Sequence, residues 1–380
     1  MTHTDACLAI NMIPKVGPVR LRKLLQAFGD VPSILRAPVD RLGAVDGIPA
    51  EIARNIAAWE TLVDLPAEHA RMTEAGIHVL IAQSEAYPSL LRTIHDPPIV
   101  LYVWGELKPT DSQAIGVVGS RQSSFYGQET AKKLSYQLAY AGLTVVSGLA
   151  RGIDTAAHQG ALAAKGRTVA VLGCGLSQIY PPENFALAER IADGNGAVVS
   201  EFPMGVTPDR TTFPMRNRII SGCSLGVLVI EAGLKSGALI SAGQAADQGR
   251  TVFAVPGPID RPSSQGTNRL IQQGAKLVMD SADILEEISG LPGFSSPAPP
   301  APSAKIPSEP PAAKAVPATA LSLLPTEATV LAAVERDETP IDRIISKCGL
   351  PTATVSSTLF ALELKKLVKQ LPGKHYVRLS

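Results

Sequence analysis

A regular alternation over residues 114–288 constrains the fold of this chain more than any other feature. Short apolar segments, which suit strands covered on both faces of a sheet, alternate with segments of helical pattern. Several helical segments end at a glycine, where a left-handed residue closes a helix. The pattern predicts a doubly wound, mainly parallel α/β sheet with right-handed crossovers. The predicted strands are 114–118, 143–147, 168–172, 197–200, 225–230, 251–255 and 276–279, and the helix-ending glycines are Gly142, Gly166, Gly196, Gly249 and Gly274.

The composition agrees with a core built from aliphatic side chains. Hydrophobic residues make up 45% of the 380 residues, whereas aromatic residues make up only 4%. No apolar run approaches the ~20 residues of a membrane-spanning helix, and residues 1–5 lack the pattern of a secretion signal. Cys7, Cys174, Cys223 and Cys348 form no C-x-x-C pair. This spacing predicts reduced thiols, a cytoplasmic location and no bound metal.

Residues 1–75 are predicted to form a helical module of the SAM or helix-hairpin-helix type. Two similar patterns, residues 13–24 and 42–56, each place an apolar residue and a glycine turn before a helix. The first-turn amides of such a helix can contact a DNA phosphate. Pro18 and Pro49 replace the second turn glycine and remove an N–H, although proline is ordinary at the start of a helix. The module therefore fits two roles, direct DNA contact and packing or partner binding.

Three further segments follow. Residues 76–290 form the predicted sheet domain, to which strands at 77–81 and 99–103 are expected to add. Residues 291–320 are rich in proline and alanine, which predicts an extended linker. Residues 321–380 predict a winged helix, which suits either DNA or protein binding. Its predicted elements are helices at 326–336, 341–347 and 352–366 and a hairpin at 367–379 that turns at Pro372-Gly373.

Small residues and cations cluster where the predicted strands end, and this is where ligands bind in a doubly wound sheet. Glycine lets backbone N–H groups approach an anion, and arginine adds a bidentate fork. The cluster predicts a site for phosphate or nucleic acid. In the competing interpretation, the arginines pair with Asp154, Glu201 and Glu231 and hold loops together. The candidate residues are Gly119, Ser120, Arg121, Ser147, Gly148, Arg151, Gly152, Phe213, Arg216, Asn217, Arg218, Lys235, Ser236 and Gly237.

Other site chemistries fit the sequence poorly. The first strand ends in G-x-x-G-S-R rather than G-x-G-x-x-G, and no acid ends the second strand, which disfavours a dinucleotide site. The lysine pattern of a P-loop is also missing. Asp154 and His158 lie one helical turn apart, a spacing that also suits an acid–base pair or half of a metal site. We expect instead that Asp154 caps its helix and that His158 packs or contacts a phosphate. The prediction is a protein without catalytic residues, metal or cofactor.

These strand-end sequences together resemble the DNA-processing protein A family, also called DprA or Smf. The resemblance implies an extended Rossmann-like domain that binds single-stranded DNA and is not an enzyme. It also implies a homodimer through that domain, and loading of the RecA recombinase onto incoming DNA during natural transformation. The matching stretches are 119–121, 147–154, 213–222, 231–240, 254–257 and 266–271. The binding residues of the family correspond here to Arg121, Arg151, Arg216, Arg218 and Lys235.

Two alternatives belong to other functional classes. One is a nucleotide or ribosyl-phosphate hydrolase of the lysine-decarboxylase-like Rossmann class, with Glu231 as general acid or base. This chain has E-A-G-L-K-S-G where that class has P-G-G-x-G-T. The other is a regulatory protein that binds a small phosphorylated ligand and contacts DNA through its winged helix. For the single-strand function, phosphate contacts are expected to dominate, with one or two bases held against Phe213 or Tyr180.

Overall fold

The computed structural model describes residues 1–291, 323–335, 338–371 and 373–379. The described residues form two compact units: residues 1–123 with 127–291, and residues 124–126 with the described residues from 323 onward. The predicted linker lies outside the described residues apart from Leu291. The boundaries of the four predicted segments stay predictions. Within the described ranges, no helix is long and apolar enough to cross a membrane.

The strands of residues 77–277 form one sheet. They are β1 (Ile77–Ile81), β2 (Val100–Gly105), β3 (Ala114–Gly119), β4 (Thr144–Ser147), β5 (Thr168–Leu172), β6 (Gly196–Ser200), β7 (Gly226–Ile230), β8 (Thr251–Ala254) and β9 (Lys276–Leu277). Their order is β1-β2-β6-β5-β4-β3-β7-β8-β9. The pairs from β6 to β9 are parallel, and β1 and β2 add an antiparallel edge. The prediction of a doubly wound, mainly parallel sheet is therefore confirmed.

The strand order reverses at β3. The chain adds β4, β5 and β6 on one side of β3, and β7 then pairs with β3 on the other side. The connections that leave β3 and β7 consequently run to opposite faces of the sheet. Such a reversal opens a crevice at the carboxyl ends of the two strands, where doubly wound proteins bind their ligands.

Helices cover both faces of this sheet. They are α8 (Ser89–Arg92), α9 (Phe125–Tyr140), α10 (Ile153–Ala163), α11 (Phe185–Ala192), α12 (Thr212–Gly222), α13 (Ala238–Asp247), α14 (Gln265–Gln272) and α15 (Ser281–Ser289). Apolar residues of α8, α12 and α13 pack with Val169 and Val171 on one face. Those of α9, α10 and α15 pack with Ile115 and Val117 on the other. Burial on both faces explains why the parallel strands are continuously apolar.

The N-terminal module is helical, as predicted. Its helices are α1 (His3–Met12), α2 (Pro18–Phe28), α3 (Val31–Leu35), α4 (Val39–Gly43), α5 (Ala50–Ala57), α6 (Trp59–Leu62) and α7 (Leu65–Glu74). Thr2 and Asp5 form a capping box that fixes the start of α1. Leu8 and Ile10 of α1 are fully buried in the same apolar cluster as Tyr102 of β2 and Val198 of β6. The module therefore shares its core with the sheet.

Two of the five predicted helix-ending glycines are explained by packing instead. Gly142, Gly249 and Gly274 have the expected left-handed backbone. At the other two junctions Lys165 and Gly194 take that conformation, so the prediction was wrong there. A Cβ on Gly166 would lie 2.6 Å from the Cβ of Ala139, and one on Gly196 would lie 1.8 Å from the carbonyl oxygen of Thr168. Close approach to neighbouring atoms therefore favours glycine at these positions.

The second unit contains the predicted winged helix. Its elements are α16 (Pro325–Ala333), β10 (Thr339–Pro340), α17 (Ile341–Cys348), α18 (Thr352–Leu364), β11 (Val368–Leu371) and β12 (His375–Arg378). β12 pairs with both β10 and β11. Val330, Ile344, Leu359 and Val368 are fully buried in its core. The hairpin turn includes Gly373, whose φ is 79°, whereas Pro372 lies outside the described residues.

Candidate nucleic-acid interface

An open cleft of about 820 Å³ lies beyond the carboxyl ends of β3 and β7, and we call it the strand-end cleft. Its walls are the loop after β3, the first turns of α12, and the turn from β7 into α13. The strand-end cleft brings together Gly119, Ser120, Arg121, Phe213, Arg216, Asn217, Lys235, Ser236 and Gly237. These residues were predicted from three separate stretches of sequence, and the reversal of strand order places them around one opening.

The loop after β3 is held by its backbone. The N–H of Ser120 donates to the carbonyl oxygen of Glu231 over 2.8 Å, and the N–H of Ile153 donates to the carbonyl oxygen of Ser120 over 3.2 Å. A Cβ on Gly119 would lie 2.1 Å from the carbonyl oxygen of Ile230, so glycine is required at this close approach. The loops after β3, β4 and β7 are thereby connected, and exposed Arg121 follows directly.

Two arginines and two aromatic rings form a row along the rim, which we call the arginine–aromatic row. The guanidinium carbon of Arg121 lies 4.6 Å from the ring centroid of Phe213, and that of Arg151 lies 5.8 Å from the ring centroid of Tyr180. The two ring centroids are 5.8 Å apart. Both arginines are exposed, although Arg151 also pairs with Glu183. The row places cations for phosphates beside rings that bases can stack on.

Arg216 lies beneath the arginine–aromatic row. Its residue is only 4% exposed, and its Nη1 donates to the carbonyl oxygens of Gly148 and Val171. A Cβ on Gly148 would lie 2.0 Å from that nitrogen, so a larger residue there would displace the Arg216 guanidinium. Burial lowers the pKa of the Arg216 guanidinium, and the charge of Asp154 counteracts this shift. Arg216 therefore supports the loop that carries Arg151.

Asp154 and His158 of α10 are buried. The N-cap of α10 is Gly152, so the expectation that Asp154 caps the helix is wrong. Its carboxylate instead accepts hydrogen bonds from the N–H groups of Gly148, over 3.1 Å, and Ala150, over 3.4 Å. The Nδ1 of His158 lies 2.7 Å from the hydroxyl oxygen of Thr168. Burial lowers the pKa of His158 to about 3, which keeps the imidazole neutral.

Arg218 lies outside the strand-end cleft. Its guanidinium makes a bidentate pair with Glu201, with N–O distances of 3.0 and 2.6 Å. Its Nε donates to Asp96 over 2.9 Å. Arg218 and Glu201 are both buried. The interpretation that arginines hold loops together therefore describes Arg218, and the geometry gives no support to its place in the polyanion site.

Ser147 and Gly152 shape the loop after β4 rather than the cleft wall. The hydroxyl of Ser147 is buried and donates to the carbonyl oxygen of Val117 over 2.6 Å, which connects β4 to β3. Gly152 has a φ of 76°, and a Cβ there would lie 2.4 Å from the carbonyl oxygen of Ser120. Both residues therefore keep the loop after β4 close to β3 and to the loop that follows β3.

Sequence reasoning missed Gln122, Arg210 and Ser241, which also line the strand-end cleft. Arg210 is exposed in the irregular segment before α12, where no strand end or helical period marks it. Its position three residues before Phe213 was the available signal. Glu231, the residue of the hydrolase interpretation, is buried. Its carboxylate is directed at Gly127, since a Cβ there would lie 2.0 Å from Oε2.

The fold and site define a class: a Rossmann-like α/β protein with a basic strand-end cleft, a helix-hairpin-helix module before it and a winged helix after it. The family model described as DNA recombination-mediator protein A matches residues 78–289. A SAM-like helix-hairpin-helix tandem matches residues 8–58, and the DprA winged helix domain matches residues 297–374. The chain belongs to the DNA-processing protein A family.

Relatives and solved structures agree with this assignment. Protein Smf of Escherichia coli is 44% identical over 80% of this chain and 77% of its own. Protein Smf of a Synechocystis strain is 36% identical over 98% of both chains. The X-ray structure of DNA processing protein A from Streptococcus pneumoniae is similar over 76% of this chain and 99% of its own, with 34% identity and a TM-score of 0.66. The structure of DNA processing protein A from Helicobacter pylori, a protein with a single-stranded DNA binding mode, matches over 56% of this chain and 95% of its own, with 30% identity and a TM-score of 0.50.

Proposed function

We propose that this protein binds single-stranded DNA in the strand-end cleft and along the arginine–aromatic row. The row carries the proposal, because it sets exposed Arg121 and Arg151 against Phe213 and Tyr180 at the rim of an open cleft. Cations that follow a phosphate backbone and rings that stack on bases are the two parts of a sequence-independent single-strand site. Exposed Arg210 and Lys235 add positive charge on the other walls.

The proposed role is binding rather than catalysis. Of the carboxylates beside the cleft, Asp154 accepts hydrogen bonds from loop amides, and Glu231 is buried with Oε2 close to Gly127. We also propose that the bound strand is passed to RecA during natural transformation and that the protein acts as a homodimer through its Rossmann-like domain. The family resemblance and the description of the matching model as a recombination mediator support this part.

A titration tests the binding step. A fluorescent poly-dT oligomer is titrated with the full chain at low and at moderate salt, with duplex DNA and AMP as competitors. We expect preferential single-strand binding whose affinity falls steeply with salt, because each neutralised phosphate releases counterions. Displacement by AMP at low concentration, or equal affinity for duplex DNA, would contradict the proposal.

The later steps need separate measurements. On single-stranded DNA covered by a single-strand binding protein, the chain should shorten the lag of RecA filament assembly, and Arg121→Glu should not. Sedimentation should show a dimer. A dimer that persists after residues 321–380 are removed would support an interface outside the winged helix, as the Rossmann-like interface requires.

A further inference from the structure

We propose that the bound strand continues past Tyr180 into a second groove, where its bases stack on Phe185 and Trp104. This inference rests on the proposed function and extends its site. The groove has a volume of about 710 Å³ and lies between β1, β2 and the segment from Leu176 to Phe185. We call it the aromatic groove. Its lining residues include Ile77, Trp104, Ile179, Tyr180, Phe185 and Pro208.

The groove concentrates a scarce residue type. Aromatic residues make up 4% of the chain, and Trp104 is one of its two tryptophans. The ring centroids of Trp104 and Phe185 lie 6.2 Å apart with an interplanar angle of 36°. Phe185 is 47% exposed although it is a large apolar side chain at the start of α11. These rings therefore form a platform that a flat apolar ligand can cover.

The aromatic groove adjoins the arginine–aromatic row through one residue. Tyr180 lines the groove, and it also lines the small recess that contains Arg121, Arg151 and Phe213. The rings thus form two pairs, Phe213 with Tyr180 and Phe185 with Trp104, and Tyr180 also lines the groove that contains the second pair. We therefore place the path of a strand held by Arg121 and Arg151 past Tyr180 into this groove.

The uncharged lining of the groove favours contact with the bases of a strand rather than with its phosphates. Among the described residues that line it, none is charged; Ser177, Gln178 and Tyr180 supply its polar side chains. A wall without cations suits bases, which stack through their faces and hydrogen-bond at their edges, whereas phosphates need positive partners. The bases are therefore placed against Trp104 and Phe185, with the phosphates toward solvent.

Intrinsic fluorescence tests this placement. Trp59→Phe leaves Trp104 as the sole tryptophan, and Trp59 lies in α6 of the N-terminal module. Oligo-dT of increasing length is added while Trp104 emission and the anisotropy of a labelled oligomer are followed in parallel. The shortest oligomers that bind should leave Trp104 unchanged. Longer ones should quench it, because they reach the groove.

Affinity gives a second readout. Trp104→Ala and Phe185→Ala should each weaken binding of a long oligomer by about 5- to 150-fold, the range of one lost stacking contact. The slope of affinity against salt should not change, because no phosphate contact is lost. Trp104→Phe keeps a ring and should retain most of the affinity. Phe185→Ala covers the case in which Trp104→Ala fails to fold, since Phe185 is half exposed.

The outcomes separate this inference from the proposed function. Oligo-dT that binds without quenching Trp104 at any length would contradict stacking in the aromatic groove and leave the proposed function standing. The same holds if Trp104→Ala and Phe185→Ala alter the salt slope as Arg121→Glu does. A Trp104 change on addition of RecA but not of DNA would overturn it in favour of a protein occupant. If no single-stranded DNA binds at all, the proposed function fails and this inference fails with it.

Discussion

The Nη1 of Arg216 donates a 2.7 Å hydrogen bond to the carbonyl oxygen of Gly148. This contact places a guanidinium under the loop after β4, with the side chain closed off from solvent. A buried cation therefore holds the loop that carries the exposed cation Arg151. We propose that the buried arginines of this sequence cluster support loops and the exposed ones bind DNA, and substitutions should separate the two roles.

Arg216→Met should destabilise the protein. It leaves the carbonyl oxygens of Gly148 and Val171 without this donor and removes the charge that counteracts the burial of Asp154. Removing one partner of a buried charged pair costs about 3–5 kcal/mol. Urea unfolding should show this loss, and Arg121→Met should change stability by less than about 0.5 kcal/mol, as usual for surface positions. Equal stability of the two variants would contradict the supporting role.

Arg121→Glu should abolish most binding of single-stranded DNA and leave the fold intact. The substitution removes one phosphate partner and adds repulsion. The slope of log affinity against log salt concentration should therefore become shallower by about 1 or more. Anisotropy titrations at several salt concentrations measure both effects. Lys133→Glu is the matched control, since it makes the same change of charge at an exposed position of α9. Unchanged affinity in folded Arg121→Glu would refute the site assignment.

Arg218→Met should reduce stability without reducing the DNA affinity of the folded protein. It leaves the buried carboxylate of Glu201 without its bidentate partner, at an expected cost of about 3–5 kcal/mol. Burial already raises the pKa of Glu201, and the charge of Arg218 counteracts that shift. The double variant with Glu201→Gln should recover part of the stability. A specific loss of DNA affinity at full stability would instead place Arg218 in the binding site.

Acid should weaken the fold through His158. Its pKa is lowered from 6.5 to about 3 by burial, so between these values the unfolded chain takes up a proton that the folded chain does not. The contribution to stability is fully present above pH 6.5 and is lost as pH falls toward 3. His158→Gln should remove this dependence. The difference in unfolding free energy between wild type and variant should change by about 1.4 kcal/mol per pH unit within the window.

Sequence patterns predicted the fold and the location of the cleft well. The continuous apolar runs follow from burial on both faces of the sheet, and Gly142, Gly249 and Gly274 follow from helix termination. Both signals can be recognised within a short stretch of sequence. The roles of Arg216 and Arg218 could not be predicted from the local sequence. Residues two apart on a helix point about 200° apart, so only the neighbours of α12 decide that one supports Gly148 and the other pairs with Glu201.

Packing also decided the cases that sequence reasoning missed. Asp154 has the residue type and position of a helix cap, yet it accepts from the preceding loop because that loop folds back over α10. Gly166 and Gly196 have the position of helix-ending residues, but the atoms that require glycine there belong to other elements. Arg210 reaches the strand-end cleft from an irregular segment. Contacts distant in sequence determine each of these.

The reversal of strand order at β3 also sets when the cleft can form during synthesis. Arg121 leaves the ribosome early, but the opposite wall, from Gly233 to Ser241, follows only after β4, β5, β6 and β7. Until β7 pairs with β3, Ser120 also lacks its hydrogen-bond partner at Glu231. The cleft therefore has no second wall until α13 has emerged, and a product truncated before β7 carries the Gly-Ser-Arg loop without that wall.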